Sequence, residues 1–65
     1  MNIRVNGLEC DVKAVDLDSL LAELDYADQT VATALNHTFV RKKDRAQAKL
    51  SEGDEVEILT PRQGG

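Results

Sequence analysis

The sequence is poor in the residues that staple, stack or cross. Cys10 is the one cysteine in 65 residues, so no disulfide forms within the chain and stability has to come from packing. With His37 the one histidine, the four ligands of a structural zinc site cannot be assembled from Cys and His. Tryptophan is absent and the aromatics are Tyr26 and Phe39, too few for a base-stacking platform. The net charge of −4 opposes binding to a phosphate backbone, which runs on cationic contacts. No nucleic-acid partner is therefore expected, whereas a basic protein surface is a suitable one. No apolar run approaches the roughly 20 residues that cross a bilayer. The opening Met1-Asn2-Ile3-Arg4-Val5 lacks the basic-then-apolar pattern of a secretory signal, so a cytoplasmic location without a membrane partner is the default expectation. There is no phosphate-binding glycine loop, nucleophile–base arrangement or metal-ligand spacing. No catalytic residue is assigned, and no bound cofactor or metal is expected.

What is present is a strongly patterned small domain. Hydrophobic residues are 42% and charged residues 31%, a globular balance. At this length, folding buries only about 60% of the unfolded surface. Met1, Ile3 and Val5 alternate with Asn2, Arg4 and Asn6, the period of a half-buried strand. Asn6-Gly7 is a two-residue hairpin signal, and Leu8, Cys10 and Val12 then alternate with Glu9, Asp11 and Lys13. Cys10 falls on the apolar parity and reads as a small core residue. The period changes at Leu17, Leu20, Leu21 and Leu24, one stripe of an α-helix, which Asp16 or Asp18 can cap.

Thr30–Leu35 reads as a strand with Val31, Thr33 and Leu35 on one face and Ala32 and Ala34 on the other. Asn36-His37 is a tight turn, and Phe39-Val40 a short returning strand. Arg41–Lys49 reads as a charged loop with one helical turn, pinned by Ala46 and Leu50. Its cations Arg41, Lys42, Lys43, Arg45 and Lys49 are expected to be solvated, with a partner patch as the sharper alternative. Glu52-Gly53-Asp54 is a turn, and Glu55–Thr60 a last strand with Val56 and Ile58 inward and Leu59 outward. The order ββαββ with a connector before the last strand implies an α+β fold: a mixed sheet of four to five strands with one main helix on one face, for which the β-grasp is the natural candidate. Residues 1–60 are expected to form this domain and 61–65 a flexible tail.

Pro61 cannot donate to a sheet ladder, so the chain beyond it should leave the body. Gly64-Gly65 has no side-chain bulk and fits a tunnel too narrow for any other residue. The reactive group at such an end is the Gly65 carboxylate. Converted to an acyl-adenylate it becomes electrophilic, and attack by sulfur leaves a thiocarboxylate. On these residues alone, a passive Gly-Gly end is an equal alternative. Leu59, outward just before the tail and near Ala32 and Ala34 in a β-grasp, would form a small apolar docking patch. A single exposed leucine is the plainer reading.

Glu52-Gly53-Asp54-Glu55-Val56-Glu57-Ile58, Pro61 and Gly64-Gly65 together resemble the C-terminal signature of the ThiS family, the ubiquitin-like sulfur carriers of thiamine biosynthesis. Val31-Ala32-Thr33-Ala34-Leu35-Asn36, Phe39-Val40-Arg41, the leucine helix and the total length are similar too. The resemblance implies a β-grasp fold and favours Asp18 as the helix cap. It implies that Gly65 is adenylated by an E1-like adenylyltransferase that uses ATP and magnesium. Arg62, Gln63 and Gly64 would enter the partner with it. Sulfur would come from cysteine through a desulfurase or sulfurtransferase relay and go to thiazole synthase. The chain would then be a protein cosubstrate rather than an enzyme. A carrier for molybdopterin synthesis, a modifier joined through Gly65 to lysines, and an interaction module with an inert tail are the competing readings.

Overall fold

Ile3 and Val5 are buried and Asn2 and Arg4 exposed, as a period of two requires. In the computed structural model, which describes residues 1–61, they form β1 (Asn2–Val5). The chain continues through β2 (Leu8–Asp11), α1 (Leu17–Glu23), β3 (Ala32–Leu35), β4 (Thr38–Val40), a 3₁₀ helix (Lys42–Gln47) and β5 (Glu55–Leu59). Two two-residue turns make the hairpins. Asn6 and Gly7 have φ of 52° and 84°, Asn36 and His37 φ of 50° and 70°. This left-handed pair of conformations matches the twist of the strands it joins.

The sheet order is β2-β1-β5-β3-β4. β1 and β5 are parallel and the other neighbours antiparallel. This is the mixed five-stranded β-grasp sheet. α1 covers one face, and Leu17, Leu20 and Leu21 bury there with Ile3, Val5, Val56 and Ile58. Each of the three leucines removed from water contributes roughly 1.5–3 kcal/mol. Glu23, at the far end of α1, accepts hydrogen bonds from the backbone N–H groups of Lys13 and Ala14, so the incoming linker is tied to the end of the helix.

Several expectations need correction. The cap of α1 is Asp16, not Asp18. Asp16 Oδ1 accepts from Ser19 N at 2.7 Å, and Ser19 Oγ accepts from Asp16 N at 3.4 Å, a reciprocal capping box. The backbone of Asp16 is extended, as a cap requires, while Asp18 is exposed inside the first turn. Leu8 lies on the apolar parity of β2 yet is 72% exposed. β2 is an edge strand, and a seven-residue helix about 10 Å long does not cover the whole sheet. Cys10 is half-buried against the core, and Leu24, the C-cap of α1, is likewise half-buried. β3 starts at Ala32 rather than Thr30.

The charged connector is also different from its sequence reading. It forms a 3₁₀ helix in which Arg45 is buried and Ala46 exposed. Leu50 is buried as expected. The side chain that holds this segment to the body is therefore Arg45, and a polar residue does what an apolar one was expected to do.

Candidate functional site

The site that matters is the end of β5 and the open face beside it. β5 reaches the middle of the sheet by pairing parallel with β1 (Arg4↔Glu55, Val5↔Val56) and antiparallel with β3 (Ala32↔Leu59, Thr33↔Ile58, Ala34↔Glu57). Side chains alternate across a strand, so burial of Val56 and Ile58 at 1% and 3% sends Glu55, Glu57 and Leu59 to the side away from α1. Leu59 is 64% exposed there. Its register partner is Ala32, and Ala34 follows on the same face. The structure thus brings Leu59, Ala32 and Ala34 together on one surface.

The sequence reading missed a fourth member. Phe39 is the register partner of Ala34 and is 65% exposed. The signal was available: a two-residue turn at Asn36-His37 fixes the pairing Leu35↔Thr38 and then Ala34↔Phe39. Leu59 and Phe39 flank the two alanines, which lack the bulk to separate them. An apolar strip on an open sheet face marks a surface that a partner can cover.

Beyond Leu59 the chain runs through Thr60 to Pro61, and these residues with Thr30, Val31 and Ala32 border a shallow cleft of about 250 Å³. Arg62, Gln63, Gly64 and Gly65, assigned from sequence to the tail, lie outside the described residues. The rest of the open face is polar. Arg4 stands beside Glu55 across the β1–β5 pair, and His37 Nε2 lies 3.1 Å from Glu55 Oε1, both side chains being substantially exposed. Glu57 lies in register with Ala34, two residues before Leu59 on the same face of β5. A basic rim on a partner would complement this border.

Among the described residues, no group of three or more His, Cys, Asp or Glu is placed to hold a metal ion, and no helix is long and apolar enough to cross a membrane. The Asp16 carboxyl is displaced from its ordinary value. The hydrogen bond from Ser19 N–H holds its carboxyl below the usual carboxylate range, helped by the Ser19 hydroxyl and by Lys49 at 3.9 Å. That displacement belongs to the helix cap, far in role from any reacting group.

A family model described as the ThiS family matches residues 3–65. Among solved structures, the chain is similar to the crystal structure of a thiamine biosynthesis protein (ThiS) from Geobacter metallireducens, with a TM-score of 0.85 and 29% identity over 100% of both chains. It is also similar to the solution NMR structure of a thiamine biosynthesis protein from the same organism, with a TM-score of 0.81, 29% identity, and coverage of 100% of this chain and 88% of that one. No curated protein matches the chain.

Proposed function

The chain belongs to the ThiS family, and from that membership we propose that it is a sulfur carrier of thiamine biosynthesis whose working group is the Gly65 carboxylate. The observation that carries this reading is that the family match extends through Gly64-Gly65, beyond the last strand of a β-grasp body. Residues 1–60 act as the platform and 61–65 as the segment presented to partners, with Arg62, Gln63 and Gly64 threading into the partner's site.

The chemistry follows from the carboxylate. A carboxylate is a poor acyl donor because its leaving group would be oxide. An E1-like adenylyltransferase, with ATP and magnesium, turns it into an acyl-adenylate and releases pyrophosphate. A relay persulfide, which carries sulfur from cysteine through a desulfurase or sulfurtransferase, attacks the acyl carbon and AMP leaves, giving an acyl disulfide. A second thiol of the relay attacks the relay cysteine sulfur, forms a relay disulfide and releases the thiocarboxylate. The resulting thiocarboxylate gives its sulfur to thiazole synthase. All groups that perform these steps belong to the partners. This chain contributes a glycine end without side-chain bulk and the strip of Leu59, Ala32, Ala34 and Phe39, which orients the body so that the end points into the partner.

Intact-mass spectrometry tests this. After incubation with the adenylyltransferase, ATP, magnesium and the sulfur relay, the protein should exchange one oxygen for one sulfur at Gly65. Removing Gly65 should abolish the exchange and leave the melting temperature unchanged. A carboxylate that stays unmodified overturns the proposal, as does transfer of sulfur by the truncated chain. Lysine-linked conjugates would identify a modifier instead, and delivery of sulfur to molybdopterin synthesis a different pathway.

A further inference from the structure

Arg45 is a cation in an unusual position. It is 7% exposed, and burying a guanidinium is costly unless its donors are used. Nε donates to Thr33 Oγ1 at 3.0 Å and Nη2 to the Val31 carbonyl at 2.7 Å. No described carboxylate lies within ion-pair distance of it. Nη1 has no acceptor among the described residues, yet no fully buried side-chain nitrogen or oxygen there is left without a partner. Nη1 therefore reaches solvent. Arg45 also helps to line a groove of about 480 Å³.

The groove runs between α1 with the loop after it, the start of β3, and the 3₁₀ helix. Leu21, Tyr26, Val31 and Phe39 contribute apolar walls, and Arg41 and Lys42 contribute further positive charge. Arg41 is partly neutralised by Asp44 at 3.2 Å, whereas Lys42 has no carboxylate within 4.0 Å among the described residues. Asp18, the one acid on the walls, pairs with none of these cations. Three cations thus converge on one groove of a protein whose net charge is −4.

We propose that this groove is a carboxylate-recognition site that takes an acidic side chain of a partner protein, with Arg45 reading it. Two observations favour a protein carboxylate over a free anion. The apolar walls suit a neighbouring aliphatic side chain. Ala32 and Phe39 border both the groove and the Leu59 strip, so a partner seated on the strip reaches the groove around the β3–β4 edge. The proposal rests on the docking part of the functional reading and not on the chemistry at Gly65. Thr33 and Val31 hold the guanidinium in place, so its remaining donors are oriented in advance. A guanidinium–carboxylate contact in a partly desolvated site is stronger than an exposed pair.

The test is an NMR titration of the full-length protein with two capped peptides, acetyl-Leu-Glu-Leu-amide and acetyl-Leu-Gln-Leu-amide. The glutamate peptide should move the Arg45 Nε–H and the amides of Thr30, Val31 and Lys42 in a saturable way, and the glutamine peptide should not. The double variant Arg41→Gln, Lys42→Gln alters only exposed side chains and should weaken the glutamate peptide by roughly two- to thirtyfold, the range of two exposed ion pairs. Arg45→Lys keeps the charge but loses the fork, and should weaken it further if that variant folds. Equal shifts with both peptides, or an unmoved Arg45 Nε–H, overturn the proposal. So does displacement of the peptide by equimolar inorganic phosphate, which would make this a small-anion site. If removing residues 62–65 by itself shifts Arg45 Nε–H, the groove serves the chain's own carboxylate and the partner assignment fails. None of these outcomes depends on thiocarboxylate formation, so failure here and failure of the carrier reading are separately visible.

Discussion

The side chain of Asn6 holds the backbone of Ile58 as a strand would. Its Nδ2 donates to the Ile58 carbonyl at 3.1 Å, and its Oδ1 accepts from the Ile58 N–H at 2.9 Å. The backbone N–H of Asn6 donates to the Val56 carbonyl at 2.9 Å. The first hairpin turn therefore extends the β1–β5 ladder, whose register pairs end at Val5↔Val56. One residue supplies a left-handed turn conformation, φ 52°, and secures the strand that carries Leu59 and leads to Pro61.

Replacing Asn6 separates these two roles. Asn6→Gly keeps the turn conformation and loses both side-chain bonds, and should cost about 1–3 kcal/mol. Asn6→Ala adds the penalty of a Cβ at positive φ and should cost about 1 kcal/mol more. Urea unfolding measures both, and amide exchange at Ile58 should quicken in each. Equal stability of the glycine variant and the parent would show that water replaces the side chain at no cost.

Asp16→Ala should lower the midpoint of urea unfolding through loss of the cap. The acid dependence has a definite sign. The folded carboxyl titrates below its usual value of 3.8, so the unfolded chain takes up the proton first as pH falls. Its contribution is whole above that usual value and is lost as pH drops through the lower, folded one. Asp16→Asn keeps an acceptor for Ser19 but cannot titrate. Acid unfolding curves of parent and Asp16→Asn should therefore converge at low pH and diverge above it.

Leu59→Glu and Phe39→Asp alter exposed side chains and should change unfolding free energy by no more than about 0.5 kcal/mol. Both should weaken binding to the adenylyltransferase, measured by calorimetry, because each places a carboxylate in a strip that a partner would dehydrate. An affinity that is unaltered in both variants removes the strip from the docking surface.

Leu21 is 4% exposed on the buried side of α1. Leu21→Ala should cost about 2–5 kcal/mol, a large share of what a domain of this size possesses. Thermal unfolding should show either a greatly reduced midpoint or no cooperative transition. A loss below 1 kcal/mol would mean that the helix contributes little to the core.

The local patterns were legible because their causes are local. Alternation at Ile3 and Val5 and the spacing of Leu17, Leu20 and Leu21 report which side of a strand or helix is dry, and turns such as Asn6-Gly7 report where the backbone must go left-handed. The choice between Asp16 and Asp18 failed because a cap depends on which residue stays extended, a property of how the chain enters the helix. Phe39 was overlooked although the turn determines its register, since its exposure depends on the absence of a covering layer on that face.

Sequence alone was sufficient for the two hairpins, the leucine stripe, the ββαββ order of elements along the chain and the resemblance carried by Glu52–Ile58, Pro61 and Gly64-Gly65. Each rests on periodicity or on residue chemistry within a few positions. Tertiary structure alone decided that Arg45 is buried, that Leu8 is not, that Asn6 reaches Ile58, and that the face with Leu59 and Phe39 is left uncovered. Those outcomes depend on contacts between segments far apart in the chain, where covering or uncovering a side chain follows from what another segment brings to it.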